Sequence, residues 1–88
     1  MFVIEDELHA EWLGQYPRFE EAIAELRRRA QLPWDGPHNA APCMSWKTCK
    51  REYTVIEFDD SQVPWKELRR IPVFKISASG VKWANGFE

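Results

Sequence analysis

Pro17 to Gln31, PRFEEAIAELRRRAQ, is the stretch on which the fold turns. Phe19, Ile23, Leu26 and Ala30 recur at i, i+4, i+7 and i+11, and Ala22 widens the apolar stripe. That period predicts one amphipathic helix of about four turns. Glu20, Glu21 and Glu25 come early and Arg27, Arg28 and Arg29 late, the order the helix dipole favours. Glu21, Glu25 and Arg29 set acids four residues ahead of a base on the solvent face. Pro17 suits a first helical position, although neither Tyr16 nor Arg18 is a good cap. Leu32-Pro33 ends the element, because a residue before proline avoids the α region.

The flanks of this helix change period from 3.6 to 2. Phe2-Val3-Ile4-Glu5 reads as a first strand and Asp6-Glu7 as a turn. Leu8, Ala10 and Trp12 then alternate with His9 and Glu11 as a second strand. A helical turn pairing Leu8 with Trp12 is the rival, but Gly14 and Pro17 leave it little room. On the far side, Arg51 to Asp59 alternates Thr54, Ile56 and Phe58 with Tyr53, Val55 and Glu57. Asp59-Asp60-Ser61 reads as a turn and a helix entry, and Val63 to Arg69 as one or two helical turns with Pro64 at the first position. Val73 to Ala78 is a further strand, and Ser79-Gly80 turns into a short one, Val81-Lys82-Trp83. Asn85-Gly86 is a last turn signal. The expected fold is α+β and two-layered: one amphipathic helix on an antiparallel sheet of about four strands (ββα-loop-ββ), with a long loop and a short second helix. The helix covers one sheet face. Val3, Tyr53, Val55 and Val73 are expected on the other, under the loop, under Trp65 and Leu68, or against a second copy, which leaves a homodimer open.

At 88 residues the chain has room for one domain, 1–88, burying roughly 60–65% of its unfolded surface. With 44% hydrophobic and 30% charged residues it is globular in composition. The formal net charge of −2 argues against a general nucleic-acid binder. The halves differ mildly: residues 1–44 carry 8 acids and 4 bases, residues 45–88 carry 6 acids and 8 bases. No run approaches the roughly 18 apolar residues of a membrane span. The acidic start, MFVIEDELHAEW, lacks the basic opening of a secretory signal. A cytoplasmic protein with two free, reduced thiols is the expectation, and a disulfide between Cys43 and Cys49 is disfavoured by that compartment.

Leu32 to Tyr53, LPWDGPHNAAPCMSWKTCKREY, has neither period. It gathers both cysteines, His38, Trp34, Trp46 and three of the six prolines. His38, Cys43 and Cys49 form H-x4-C-x5-C, weak candidates for a metal: zinc wants tighter ligand pairs and a fourth donor. Lys50 and Arg51 beside Cys49, and Lys47 near Cys43, could lower a thiol pKa. A nucleophilic cysteine also needs a base and an oxyanion hole, and no glycine-rich turn adjoins either one. Glu5, Asp6, Glu7 and Glu11 read as a solvated strand edge rather than a metal site, since no D-x-D-x-D-G loop goes with them. Trp46-Lys47-Thr48-Cys49-Lys50-Arg51 interleaves rings and cations as single-strand binders do, and Trp65-Lys66, Arg69-Arg70 and Lys82-Trp83 could join its basic side. The alternative is that tryptophans seal a thin core while neighbouring lysines snorkel to water. Dinucleotide, P-loop and nucleophile-elbow signatures are absent from the sequence.

Ala41 to Tyr53, A-P-C-x-S-W-x-T-C-x-R-E-Y, together with V-I-E-F-D, P-W-x-E-L (Pro64 to Leu68), the F-E-E-A-I-A-E-L helix and the closing S-A-S-G-V-K-W, resembles a group of small single-domain bacterial proteins of unknown function. The resemblance implies a bacterial cytoplasmic protein of one domain and brings no activity, cofactor or catalytic residue. From the residues themselves, the first expectation is a non-enzymatic interaction module binding a protein partner or itself. Trp34, Trp46, Lys47, Lys50 and Arg51 are its candidate contacts. A single-stranded nucleic-acid module using Trp46, Lys47, Lys50 and Arg51 is one alternative; a metal- or thiol-dependent protein centred on His38, Cys43 and Cys49 is the other. No cofactor and no membrane partner are expected.

Overall fold

The computed structural model describes residues 1–43 and 49–87. Strands β1 (Phe2–Asp6) and β2 (Glu11–Tyr16) lead into helix α1 (Phe19–Arg29), followed by β3 (Lys50–Asp59), β4 (Lys66–Ser77) and β5 (Gly80–Trp83). All neighbouring strands pair antiparallel, in the spatial order β2-β1-β3-β4-β5. One helix on an antiparallel sheet is the architecture expected. Five strands replace the four or so, and no second helix forms among the described residues.

The predicted short helix fails because its residues continue a hairpin. Asp59 faces Lys66, and pairing runs from there to Lys50 opposite Ser77. Charge hides this first half of β4 from a reading by hydrophobic period. Its arginines find carboxylates across the sheet: Arg69 Nε lies 2.7 Å from Glu57, and Arg70 Nη1 2.7 Å from Glu5 and 3.1 Å from Glu7. The second strand also sits later than the Leu8–Trp12 alternation suggests. Leu8, His9 and Ala10 belong to the β1–β2 turn, and Ala10 adopts φ 51°, the left-handed region such a turn requires.

Helix α1 buries the predicted stripe. Ala22 and Leu26 are fully buried, and Phe19, Ile23 and Ala30 pack around them against Ile4, Tyr53, Val55, Phe74 and Ile76. Arg18 is the cap residue, without a side-chain bond, so Pro17 precedes the helix rather than opening it. Glu25 accepts from Arg28 (2.9 and 2.7 Å) and Arg29 (2.7 Å); those bonds, Arg28's first, hold its carboxyl below the usual range.

The registers correct the expected faces. Tyr53 and Val55 lie on the helix side, opposite Asp6 and Ile4. Val3 pairs with Ile56 on the other side, and both are fully buried without belonging to the helix-side core. Trp12, Phe58 and Trp65 gather on that second face, with ring centroids 5.4 to 6.4 Å apart. A bulge that leaves Leu13 unpaired sets Trp12 opposite Glu5 and so on the same face as Val3. The three rings cover part of this face, whereas Leu68, expected there with Trp65, is exposed.

Candidate thiol–imidazole site

The polar interior begins at Asp6, the last residue of β1. Its alternation in β1 points the carboxylate to the helix side, where it is 0% exposed. Oδ1 accepts from the backbone N–H of Leu8 and of Glu52, both at 3.1 Å. The bond to Leu8, two residues on, is an Asx turn that shapes the β1–β2 connection. Oδ2 accepts from Arg51 Nη1 at 3.1 Å and from His9 Nδ1 at 2.5 Å.

Arg51, on β3 two residues before the Tyr53 that faces Asp6, is 5% exposed. Besides Asp6 its guanidinium reaches Glu11 Oε1 (3.0 Å), the carbonyl of Asn39 (2.9 Å) and that of Ala40 (2.5 Å). Asn39, buried in the loop, donates Nδ2 to the carbonyls of Arg29 (2.9 Å), Pro33 (3.1 Å) and Leu32 (3.3 Å). Arg29 is the last residue of α1, so Asn39 ties the loop back to the helix end and to the turn at Leu32-Pro33 just beyond it. Its Oδ1 accepts from the Tyr53 hydroxyl at 2.7 Å. Burial pushes the Tyr53 phenol above its ordinary value, against the pull of Arg29. Arg29 also donates to the carbonyl of His38 at 2.6 Å. An aperiodic loop is therefore held by backbone acceptors meeting buried side-chain donors, with Trp34 packed on the core beside them.

This network ends at sulfur. Cys43 and Cys49 form a disulfide, with Cα atoms 5.3 Å apart. Free thiols are the expectation from compartment; the two residues instead stand at bonding distance. His9 Nε2 stands 3.3 Å from Cys43 Sγ. A carboxylate only accepts, so the imidazole proton sits on Nδ1 toward Asp6 and Nε2 faces the sulfur. Cys49 is 4% exposed, and Cys43 is the more accessible of the pair. The arrangement is an Asp6–His9–Cys43 line with a second sulfur behind it.

The structure redistributes the residues singled out from sequence. His38 is exposed and stands outside the cluster of ring nitrogen and sulfur atoms; His9 takes its place. Asp6 and Glu5, read as a solvated edge, are both buried. Trp34 packs on the core rather than standing free. Arg51 is buried and engaged, so it cannot meet a phosphate, whereas Lys50 remains half-exposed near Glu52. Trp46 and Lys47 lie outside the described residues. Of the expected basic side, Arg69 and Arg70 each face a carboxylate. His9 and Asp6 were legible only as neighbours three apart around a turn, and nothing in that spacing points to a cysteine 34 residues on.

Comparison with known proteins adds no relative: no family matches the chain, and no curated protein or solved structure is similar to it. Among the described residues no helix is long and apolar enough to cross a membrane.

Proposed function

We propose that this protein is a thiol–disulfide module in which Cys43 and Cys49 exchange with external thiols and His9 manages the proton at Cys43. The observation that carries the reading is the 3.3 Å approach of His9 Nε2 to Cys43 Sγ, with Nδ1 anchored on buried Asp6. A sulfur beside an oriented imidazole and backed by a second, buried sulfur has the parts that exchange needs. His9 Nε2 takes the proton of one thiol of an external dithiol as that sulfur attacks Cys43 Sγ; the S–S bond breaks and its electron pair leaves on Cys49 as a thiolate. The dithiol's second thiol gives its proton to the Cys49 thiolate and attacks the external sulfur of the mixed disulfide, and Cys43 leaves as a thiolate that takes back the proton held on His9 Nε2. Two external thiols become one disulfide and the protein gains two thiols.

Reduction of the folded protein by a small dithiol, followed by thiol counting, tests this. His9→Ala is expected to slow reduction about a hundredfold, the low end of general acid–base contributions. His38→Ala is expected to leave the rate unchanged. Equal rates for wild type and His9→Ala, or a disulfide that yields only on unfolding, overturn the proposal.

A second reading, a protein-binding module, is supported by the second sheet face. Trp12 remains 49% exposed although it stacks on Trp65, and Leu68 of β4 is also exposed. Large exposed aromatics are typical anchors of protein contacts. Self-association through this face is expected to appear as concentration-dependent light scattering that Trp12→Ser abolishes; a strict monomer at high concentration removes it.

A further inference from the structure

The sulfur–imidazole cluster has a second chemistry once its disulfide is opened, and this inference rests on the reading of Cys43–Cys49 as a reversible pair. His9, Cys43 and Cys49 each offer one ligand atom, and the three atoms lie within 4.8 Å of one another. A tetrahedral zinc site has N···S edges of about 3.5 Å and S···S edges of about 3.8 Å. His9 Nε2 and Cys43 Sγ are already 3.3 Å apart, and Cα atoms at 5.3 Å let the two sulfurs separate by side-chain rotation. The donor set of two thiolates and an imidazole is soft, which selects zinc over magnesium or calcium.

The surroundings supply what a metal-bound histidine needs. Asp6 takes the Nδ1 proton, fixing the tautomer whose Nε2 lone pair faces the sulfurs. Asp6 is itself held by Arg51 and by two backbone N–H groups, so the ring is aimed by a rigid support. A zinc ion carried by two thiolates is neutral, as the disulfide is, so exchanging one for the other leaves the Asp6–Arg51–Glu11 charges as they are.

We infer that the reduced chain binds one zinc ion through His9 Nε2, Cys43 Sγ and Cys49 Sγ, and that disulfide formation expels it. Binding releases two protons from the thiols. Expulsion needs a two-electron oxidant, such as a small disulfide, which takes up two protons and leaves as two thiols. One coordination position stays for water or an incoming ligand.

The test uses the full chain, reduced with a phosphine and then titrated with zinc against a chromophoric chelator. Native mass spectrometry is expected to show one zinc per chain, with two protons lost. Cobalt in its place is expected to give thiolate-to-metal charge-transfer bands, whose intensity reports two sulfurs without recourse to a variant. His9→Ala is expected to weaken zinc binding at least tenfold, His38→Ala to leave it unchanged, and the oxidised protein to bind none. Absence of charge-transfer bands in the reduced protein, or equal affinity in His9→Ala, overturns the inference. If thiol exchange still depends on His9 in that event, the redox reading stands alone. If the disulfide yields only on unfolding, both fall.

Discussion

Arg51→Met is expected to destabilise the fold by about 3–5 kcal/mol, the usual cost of breaking a buried ion pair from one side. The substitution removes the donor shared by Asp6 and Glu11 and leaves Asp6, 0% exposed, as a buried carboxylate short of its counter-charge. It also strips the carbonyls of Asn39 and Ala40 of their donor. Methionine fills much of the same volume, so the loss reports electrostatics and hydrogen bonding rather than a cavity. Arg51→Lys is expected to recover little, because a single ammonium cannot span two carboxylates and two carbonyls. Arg69→Met is the surface control: its 2.7 Å pair with Glu57 is open to water, and its loss is expected to cost under about 1 kcal/mol. Urea denaturation of the variants checks the ranking. An Arg51→Met midpoint as close to wild type as that of Arg69→Met would mean that the buried network contributes nothing to stability.

Asn39→Asp is expected to cost about 3 kcal/mol, because one change of atom removes every donor the side chain supplies. The amide Nδ2 serves the carbonyls of Arg29, which ends α1, and of Leu32 and Pro33 beyond it, and a carboxylate at the same place faces them as a second set of acceptors. The bond from Tyr53 survives the substitution, since Asp keeps an oxygen for it. Tyr53→Phe separates the two halves: it removes only the hydroxyl and is expected to cost about 1 kcal/mol. Thermal and urea unfolding distinguish the pair. Equal losses for Asn39→Asp and Tyr53→Phe would place the weight on the Oδ1 bond instead of the helix end.

How much of this was legible depends on whether the signal was apolar. Phe19, Ile23, Leu26 and Ala30 announce α1 by their spacing, and alternation gives β3 and the second half of β4. Those elements are fixed by water leaving a stripe or a face, which sequence period records directly. The first half of β4, Lys66 to Arg70, has no such record, because its partners are carboxylates on β1 and β3 that only the pairing brings near. The same holds for the site. Asp6, His9, Asn39 and Arg51 are ordinary polar residues until β1 and β3 align; then Asp6 faces Tyr53 across the strands and Arg51 falls within reach. His38 drew attention through its nearness to the cysteines in the chain. His9 reaches them through space. Compartment argues against the disulfide, whereas the proximity of Cys43 and Cys49 in the fold makes it.

Asn39 and Ala40 are tied to the sheet through Tyr53 and Arg51, and Arg51 is itself held by Asp6, so this part of the anchoring closes only after β1 has met β3. Asp6 must accept from Arg51 and Glu52, 45 and 46 residues away, before the guanidinium is aimed at Asn39 and Ala40. Contacts that depend on such distant pairings form late, after the loop-closure entropy has been met. Changes at Asn39 therefore act mainly by hastening unfolding, with the rate of folding left nearly as it was.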